Sequence, residues 1–342
     1  MTNTNTPTPA PRNVARRRLL LGASALGAVA LAYPVLARRA STPTGPQPLR
    51  IGRTGKGGYD VVMRAAHIDA VDVVPQYSDF QSGHLQVEAL NGGSLDYGGM
   101  SEIPPVFAAA SSIQSFRQIA VVHADVNNQV VLVPKGSKAA SIADLKGKKV
   151  GYVRATTSQY FLLGMLREVG LGWKDIEPVA LNVSDGAAAF SQGALDGWAI
   201  YGFPIQRAIA HEGARVLKTA LGILSGNYLV SAHVDALADP AKRAAIGRYL
   251  EANARAFAWQ AAHWEEWAQV LAKEIDVPLP FVQDQIRARS APTSLRVVDD
   301  AAIRSQQAVA DVFFEAGLIP TRVDVRPLWD DRFNDIIRGT TA

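Results

Sequence analysis

The chain has 342 residues, 48% hydrophobic and 19% charged, and no cysteine, which excludes disulfides, thiolate catalysis and Cys-ligated zinc and leaves stability to buried apolar area. The formal net charge of +4 is set by its N-terminus, where all six charged residues of the first 40 are arginine. The remainder carries 29 basic against 31 acidic residues, a charge of −2, so nucleic-acid binding has no compositional support.

In chain order, Arg16, Arg17 and Arg18 run into an apolar stretch over 19–37, a basic region followed by a hydrophobic one as in an export signal. The lead over 2–11 has no acidic residue, and Arg16-Arg17-Arg18-Leu19-Leu20 has twin-arginine spacing. Val35-Leu36-Ala37 presents small residues where a signal peptidase reads, so cleavage near Ala37 is expected. The alternative is an uncleaved anchor, because the apolar run approaches the roughly 20 residues that span a bilayer. Residues 38–48 read as a solvated spacer of Ser, Thr, Pro and Gly.

The folded part is expected to start with Leu49-Arg50-Ile51-Gly52 as a first strand. Further strands are predicted at 71–77, 95–99, 119–123, 130–133, 149–153 and 198–201, with helical patterns between them. Such alternation argues for parallel sheets with crossover helices, and about 300 residues suffice for two lobes. After 227–231 the texture turns helical. A helix is predicted over 240–274, capped by Asp239 with Pro240 at its first position, and its Trp259, Trp264 and Trp267 are expected to face the core. Another is predicted over 298–316, ending at Gly317 before Pro320.

Three strand-to-helix junctions combine small residues with hydroxyls, which in open α/β sheets is where ligands bind. At Ser82-Gly83 a helix start offers unpaired N–H groups and a partial positive charge to an oxyanion, although Ser82 also suits a plain cap. At Tyr97-Gly98-Gly99-Met100-Ser101-Glu102 a strand ends in glycines before a helix begun by prolines. At Thr156-Thr157-Ser158 three hydroxyls crowd another helix start. Arg53 and Lys56 are candidate cations for the same anion, Lys56 equally a solvated surface residue.

The stretch 79–216 resembles the periplasmic binding proteins of the nitrate, sulfonate and taurine ABC importers, especially the alkanesulfonate group. The resemblance is carried by Phe80-Gln81-Ser82-Gly83, by Glu88-Ala89-Leu90-Asn91-Gly92-Gly93-Ser94-Leu95-Asp96-Tyr97-Gly98, by Pro104-Pro105-Val106-Phe107-Ala108 and by Val131-Leu132-Val133-Pro134-Lys135. Ile142-Ala143-Asp144-Leu145-Lys146-Gly147-Lys148-Lys149-Val150 and Phe190-Ser191-Gln192-Gly193-Ala194-Leu195-Asp196-Gly197-Trp198 extend it. It implies a type II periplasmic binding fold, two α/β lobes around a ligand cleft with crossovers near 125–129 and 226–231. Lobe 1 is then 49–125 with 231–342, and lobe 2 is 126–230. Ser82 and Gly83 correspond to the first anion-binding helix start, and Ser101 with Glu102 to the family's second-strand loop. Thr156, Thr157 and Ser158 correspond to the second-lobe helix start, and Trp198 and Tyr201 to the aromatic strand lining the cleft. Two departures bear on the ligand: Gly52-Arg53-Thr54-Gly55-Lys56-Gly57-Gly58-Tyr59 replaces the family's Tyr and Gln after the first strand, and Tyr201-Gly202-Phe203-Pro204 replaces its Trp-Asp-Pro.

The resemblance implies a periplasmic monomer without cofactor or metal, taking a small organic anion to the permease and ATPase of an importer. Nitrate, taurine, longer or aromatic sulfonates and sulfate esters remain open as ligands. So do a pyrimidine thiamin precursor, and a sensor role without transport. An enzyme is disfavoured, since His67, His84, His123, His211, His233 and His263 show no His-Glu-x-x-His spacing and no Gly-x-Ser-x-Gly elbow occurs.

Overall fold

A computed structural model describes residues 45–55, 58–111 and 114–341. The expected export signal with Arg16, Arg17, Arg18 and Ala37, most of the spacer, and Lys56 lie outside the described residues. The chain opens with β1 (Gln47–Thr54), α1 (Tyr59–Ala65), β2 (Val73–Phe80), α2 (Gly83–Asn91), β3 (Tyr97–Ser101), α3 (Ile103–Ala110) and β4 (Phe116–His123). There follow β5 (Gln129–Val133), β6 (Lys149–Tyr152), α4 (Thr157–Glu168), β7 (Glu177–Ala180), α5 (Val183–Ser191), β8 (Gly197–Tyr201), α6 (Phe203–Arg207) and β9 (Arg215–Thr219). The last part supplies β10 (Asn227–His233), α7 (Val234–Ala238), α8 (Pro240–Ala262), α9 (Trp264–Ile275), α10 (Leu279–Arg287), β11 (Ser294–Arg296), α11 (Asp300–Glu315) and α12 (Asn334–Thr341).

Two sheets result, in the orders β11-β4-β10-β3-β1-β2 and β7-β6-β8-β5-β9. Within each, βαβ units make parallel pairs: β1 with β2 and β3, β6 with β7 and β8. The strand that arrives across a crossover, β10 in one sheet and β5 in the other, is antiparallel to both its neighbours. Apolar clusters flank each sheet on its two faces, as parallel strands buried on both sides require.

The crossovers are 124–128 and 220–226. The second corrects the expected boundary after residue 230, because Tyr228, Leu229 and Val230 already pair with Ser101, Met100 and Gly99 in the first sheet. The spacer likewise ends before residue 48. Gln47 and Pro48 are in register with Val73 and Val74, and the Gln47 amide donates to Asp72 O at 2.9 Å. β7, β9 and β11 escape the sequence pattern because they are short edge strands, exposed or half-buried throughout in β7 and β9 and with Leu295 alone buried in β11, which dilutes the apolar signal.

The helix expected over 240–274 is two helices. Asp239 caps the first, accepting from Ala241 N at 2.8 Å and Lys242 N at 3.2 Å. It ends at His263, whose backbone N–H and ring Nδ1 both reach Trp259 O while the two rings stack at 5.2 Å. The break turns α9 so that Trp267, Leu271 and Ile275 enter the core, with Trp259 packed against it. Trp264 lies under the Arg287 guanidinium instead. α11 starts after the Asp299 cap, and Gly317 takes a φ of +68° just past its end, as expected of that residue.

Asp96 locks the lobe 1 sheet. Its carboxylate accepts from Arg50 N and Nε at 3.0 Å, from Arg50 NH2 at 2.7 Å and from Lys242 Nζ at 2.8 Å, joining β1, β3 and α8. Burial pushes this carboxyl up, but the donors from Arg50 and Lys242 outweigh it and hold it down at about 2.

Candidate functional site

Residues that follow the parallel strands of both lobes line one cavity of about 330 Å³ between the lobes. Lobe 1 contributes Thr54 at the end of β1, Gly83 after β2 and Ser101 at the end of β3; lobe 2 contributes Thr156 and Thr157 after β6, Tyr201 at the end of β8 and Gly202 after it. The lobes also touch directly beside it. Tyr160 of α4 packs on Phe313 of α11 with ring centroids 5.6 Å apart, and Arg207 of α6 reaches Ile275 O at 3.2 Å and Asp276 at 3.5 Å.

Two helix starts, one per lobe, open on this space. In lobe 1 the backbone of Ser82 is extended and its side chain caps nothing, so α2 begins with uncapped amides. Gly83 is required there, since a Cβ would stand 2.8 Å from Met100 Cβ. In lobe 2 the chain turns into α4 through Ala155 at a φ of +56°, a left-handed backbone held by its N–H to Gln159 Oε1 at 2.8 Å. Thr156 Oγ1 donates to Val153 O at 2.7 Å and accepts from Ser158 N, while Ser158 Oγ accepts from Val153 N at 2.8 Å. Those two hydroxyls are spent on the turn. The hydroxyls of Thr157 and Ser101, both on the cavity wall, have no hydrogen-bond partner among the described residues.

Beneath the cavity lies Gln86, with no exposed surface. Its Nε2 donates to Thr54 Oγ1 and its Oε1 accepts from Gly99 N at 3.2 Å, fixing two groups of the wall. Gly52 and Gly98 are bare for its sake, since their Cβ atoms would meet Gln86 Oε1 at 2.5 and 2.7 Å.

The wall also carries six aromatic side chains, Tyr59, Tyr97, Tyr228 and Tyr249 from lobe 1 and Tyr201 and Phe203 from lobe 2, beside the charged Arg53, Asp60 and Asp125. Tyr97 stands edge-on to Tyr249 at 5.1 Å and accepts from Asn253 Nδ2 at 3.2 Å; Gln129 Nε2 donates to the Tyr228 hydroxyl. Burial pushes the Tyr59, Tyr201 and Tyr228 phenols above the ordinary tyrosine range, so they stay neutral donors at physiological pH. None of the described histidines lines the cavity, and among the described residues no three His, Asp or Glu side chains converge as metal ligands.

Of the residues singled out in the sequence, the cavity wall holds Arg53, Gly83, Ser101, Thr156, Thr157 and Tyr201. Ser82, Glu102, Ser158 and Trp198 are off it. Ser82 is the cap position behind Gly83, and Ser158 is tied to the turn. Glu102 is buried and holds the second crossover, accepting from Ser225 Oγ and from Asn227 Nδ2 at 3.5 Å; burial pushes its carboxyl up, against those donors and Ser305. Trp198 points into the lobe 2 core beside Phe190, ring centroids 5.5 Å apart, because alternate residues of β8 face opposite sides of the sheet. Arg53, the candidate cation for the anion, stands on the wall with its charge already engaged. Its guanidinium donates to Asp60 at 2.7 Å and to Asp79 at 2.8 and 2.9 Å, so two carboxylates already answer its charge.

Sequence reasoning missed the lobe 1 tyrosines, Phe203, Gln86 and the crossover residues Asp125 and Asn128. A tyrosine in a strand, as Tyr97 and Tyr228 are, or in a helix, as Tyr59 and Tyr249 are, carries no local mark of a binding wall. Asp125 and Asn128 do carry one, since residues at a crossover between lobes must border the cleft.

A cavity between two α/β lobes, each sheet receiving one antiparallel strand across a crossover, defines a type II two-lobed binding protein. Residues 76–263 match the family described as NMT1/THI5 like. The chain is 33% identical to an aliphatic sulfonates-binding protein of Escherichia coli (strain K12), over 82% of this chain and 88% of that one. Among solved structures it is similar to the alkanesulfonate-binding protein SsuA from Xanthomonas axonopodis pv. citri bound to MOPS, with a TM-score of 0.76 and 28% identity over 84% of this chain and 99% of the other. The periplasmic aliphatic sulphonate binding protein SsuA from Escherichia coli gives a TM-score of 0.72 and 30% identity over 84% and 93%. The chain belongs to the NMT1/THI5-like family and is a relative of the aliphatic sulfonate-binding proteins.

Proposed function

We propose that this protein is the solute-binding component of an ABC importer, a periplasmic monomer that captures a small organic anion of the alkanesulfonate type and delivers it to its permease and ATPase. The observation that carries this reading is the pair of helix starts, at Gly83 and Thr157, that open from opposite lobes onto one cavity. A sulfonate is permanently ionised near neutral pH, so it needs donors and no base. Backbone amides, the Thr157 and Ser101 hydroxyls and the neutral Tyr59 and Tyr201 phenols supply them, while the aromatic side chains of the wall take the organic part. Hydrogen bonds to a charged group are each worth about 1.5–3 kcal/mol, so three or four approach the roughly 8 kcal/mol of a micromolar complex before ordering costs are subtracted. Donors on both lobes also give the ligand a differential affinity for the closed form, the only means by which it drives closure. The relatives described above are binding proteins, and among the described residues the wall offers no nucleophile paired with a base. Among the described residues no helix is long and apolar enough to cross a membrane.

The test is a thermal-shift and calorimetric series against alkanesulfonates, taurine, nitrate, sulfate esters and an aminopyrimidine. A true ligand at about 100 times its Kd adds about 2.7 kcal/mol of stability. A response to sulfonates is expected. The six aromatic side chains of the wall favour one second reading, a pyrimidine binder, which requires a response to the aminopyrimidine and none to any sulfonate.

A further inference from the structure

The cleft continues past the cavity just described. A second chamber of about 190 Å³ shares Tyr59, Asp125, Asn128, Phe203 and Thr293 with it and extends toward α8, α9 and α10. The shared residues border both spaces and form the neck that an occupant reaching from one into the other would cross. A bare sulfonate on a short alkyl group needs neither chamber in full, since the first cavity alone already falls in the size range of small-molecule pockets, about 300–1,000 Å³.

The chamber holds two acceptors with no partner. Asn128 Oδ1 and Gln285 Oε1 are buried without a hydrogen-bond partner, although both residues line the chamber. Asp125 has no ion-pair partner among the described residues. Its Oδ1 is saturated by Asn127 N and Ser290 N at 2.8 Å and by Ser290 Oγ at 3.0 Å, which leaves Oδ2 for an occupant. Around these acceptors stand rings: Phe257, edge-on to Tyr59 at 5.1 Å, together with Trp267 and Phe203. Among the described residues Arg289 is the one cation on the chamber wall. Unpartnered buried acceptors are costly empty, and a cationic donor among aromatic faces satisfies them while facing the half-buried Asp125 carboxylate.

We propose that the chamber is a second subsite, taking the far end of an elongated sulfonate whose organic body crosses the Tyr59–Phe203 neck and ends in a protonated amine. The inference rests on the sulfonate reading of the first cavity. The sulfonate is held at the two helix starts, and the ammonium faces Asp125, Asn128 and Gln285.

Calorimetry on the full-length chain with ethanesulfonate, hexanesulfonate, aminohexanesulfonate and the corresponding carboxylate-ended chain tests it. The amine-ended compound is expected to bind about tenfold more tightly than hexanesulfonate, as one charge-assisted contact implies. In Gln285→Leu that ratio is expected to shrink severalfold, and in Arg289→Gln to grow. Equal or tighter binding of the methyl-ended chain overturns the proposal, and tightest binding of the carboxylate-ended chain overturns it in favour of Arg289 as the reader. The wild-type series decides even where a variant fails to fold. If no sulfonate of any length binds, the reading of the first cavity falls and this one with it, whereas binding of ethanesulfonate without preference for the amine overturns this one alone.

Discussion

The two lobes are built on the same local plan and finish it differently. Leu95-Asp96 before β3 and Leu195-Asp196 before β8 follow equivalent turns, with Gly93 and Gly193 at φ of +69° and +72°. Asp96 N donates to Arg50 O and Asp196 N to Lys149 O, both at 2.9 Å. Leu95 and Leu195 press on Gly52 and Gly151, where a Cβ would come within 2.8 and 2.6 Å. The slot between helix and sheet is then filled from opposite sides. In lobe 1 the helix supplies Gln86 against a bare Gly98; in lobe 2 the strand supplies Trp198 against a bare Gly186, whose Cβ would stand 2.8 Å from the indole nitrogen. The lobe 1 filler is polar and holds Thr54 and Gly99 on the cavity wall, whereas the lobe 2 filler is part of an apolar core. One plan thus shapes the cavity wall in one lobe and the apolar core in the other.

The largest effect is expected where that plan meets the ligand. Thr157→Asp places a negative charge at the first turn of α4, which favours the helix and opposes an anion. Sulfonate affinity is expected to fall at least about a hundredfold by calorimetry while the melting temperature holds. Retained affinity would remove the lobe 2 helix start from the site.

The paired aspartates come next. Asp96 is buried under Lys242, whereas Asp196 is exposed. With its carboxyl at about 2 against an ordinary 3.8, Asp96 contributes stability that is complete above about pH 4 and lost as pH falls through about 2. Asp96→Asn is therefore expected to cost on the order of 2 kcal/mol in urea unfolding at neutral pH, the deficit narrowing in acid, and Asp196→Asn under about 1 kcal/mol. Equal losses would mean that the burial difference carries no weight.

The two fillers separate function from packing. Gln86→Leu leaves the Thr54 hydroxyl and the Gly99 amide without their partner and is expected to weaken ligand binding about tenfold. Trp198→Phe is expected to cost about 1–2 kcal/mol of stability with Kd unchanged. A loss of affinity in Trp198→Phe matching that in Gln86→Leu would erase the distinction drawn between the lobes. The smallest effect concerns pH: with a permanently charged ligand and phenols raised by burial, Kd is expected to stay flat between about pH 6 and 9.

The contrast also sorts what the sequence discloses. Helix starts are written locally, in Ser-Gly and Thr-Thr-Ser after a strand, so Gly83, Thr156 and Thr157 are legible in the chain itself. So are the βαβ order and the Asp239 and Gly317 ends of helices. Trp198 is misplaced by the sequence because adjacent strand residues face opposite sides, and a shift of one position exchanges cavity for core. Tyr97, Tyr228 and Tyr249 meet only through pairing and packing across long stretches of chain, and Gln86 looks like any helical residue until Gly52 and Gly98 are seen bare beside it. Glu102 belongs to a motif expected to form the site yet serves the crossover, a role that depends on where Ser225 returns.

The most direct measurement is a crystal structure of the protein with ethanesulfonate bound. The sulfonate oxygens should lie about 3 Å from backbone nitrogens at the starts of both α2 and α4, with the ethyl group against the tyrosines. A sulfonate found on one lobe alone, or outside the cavity lined by Gly83 and Thr157, would contradict the account.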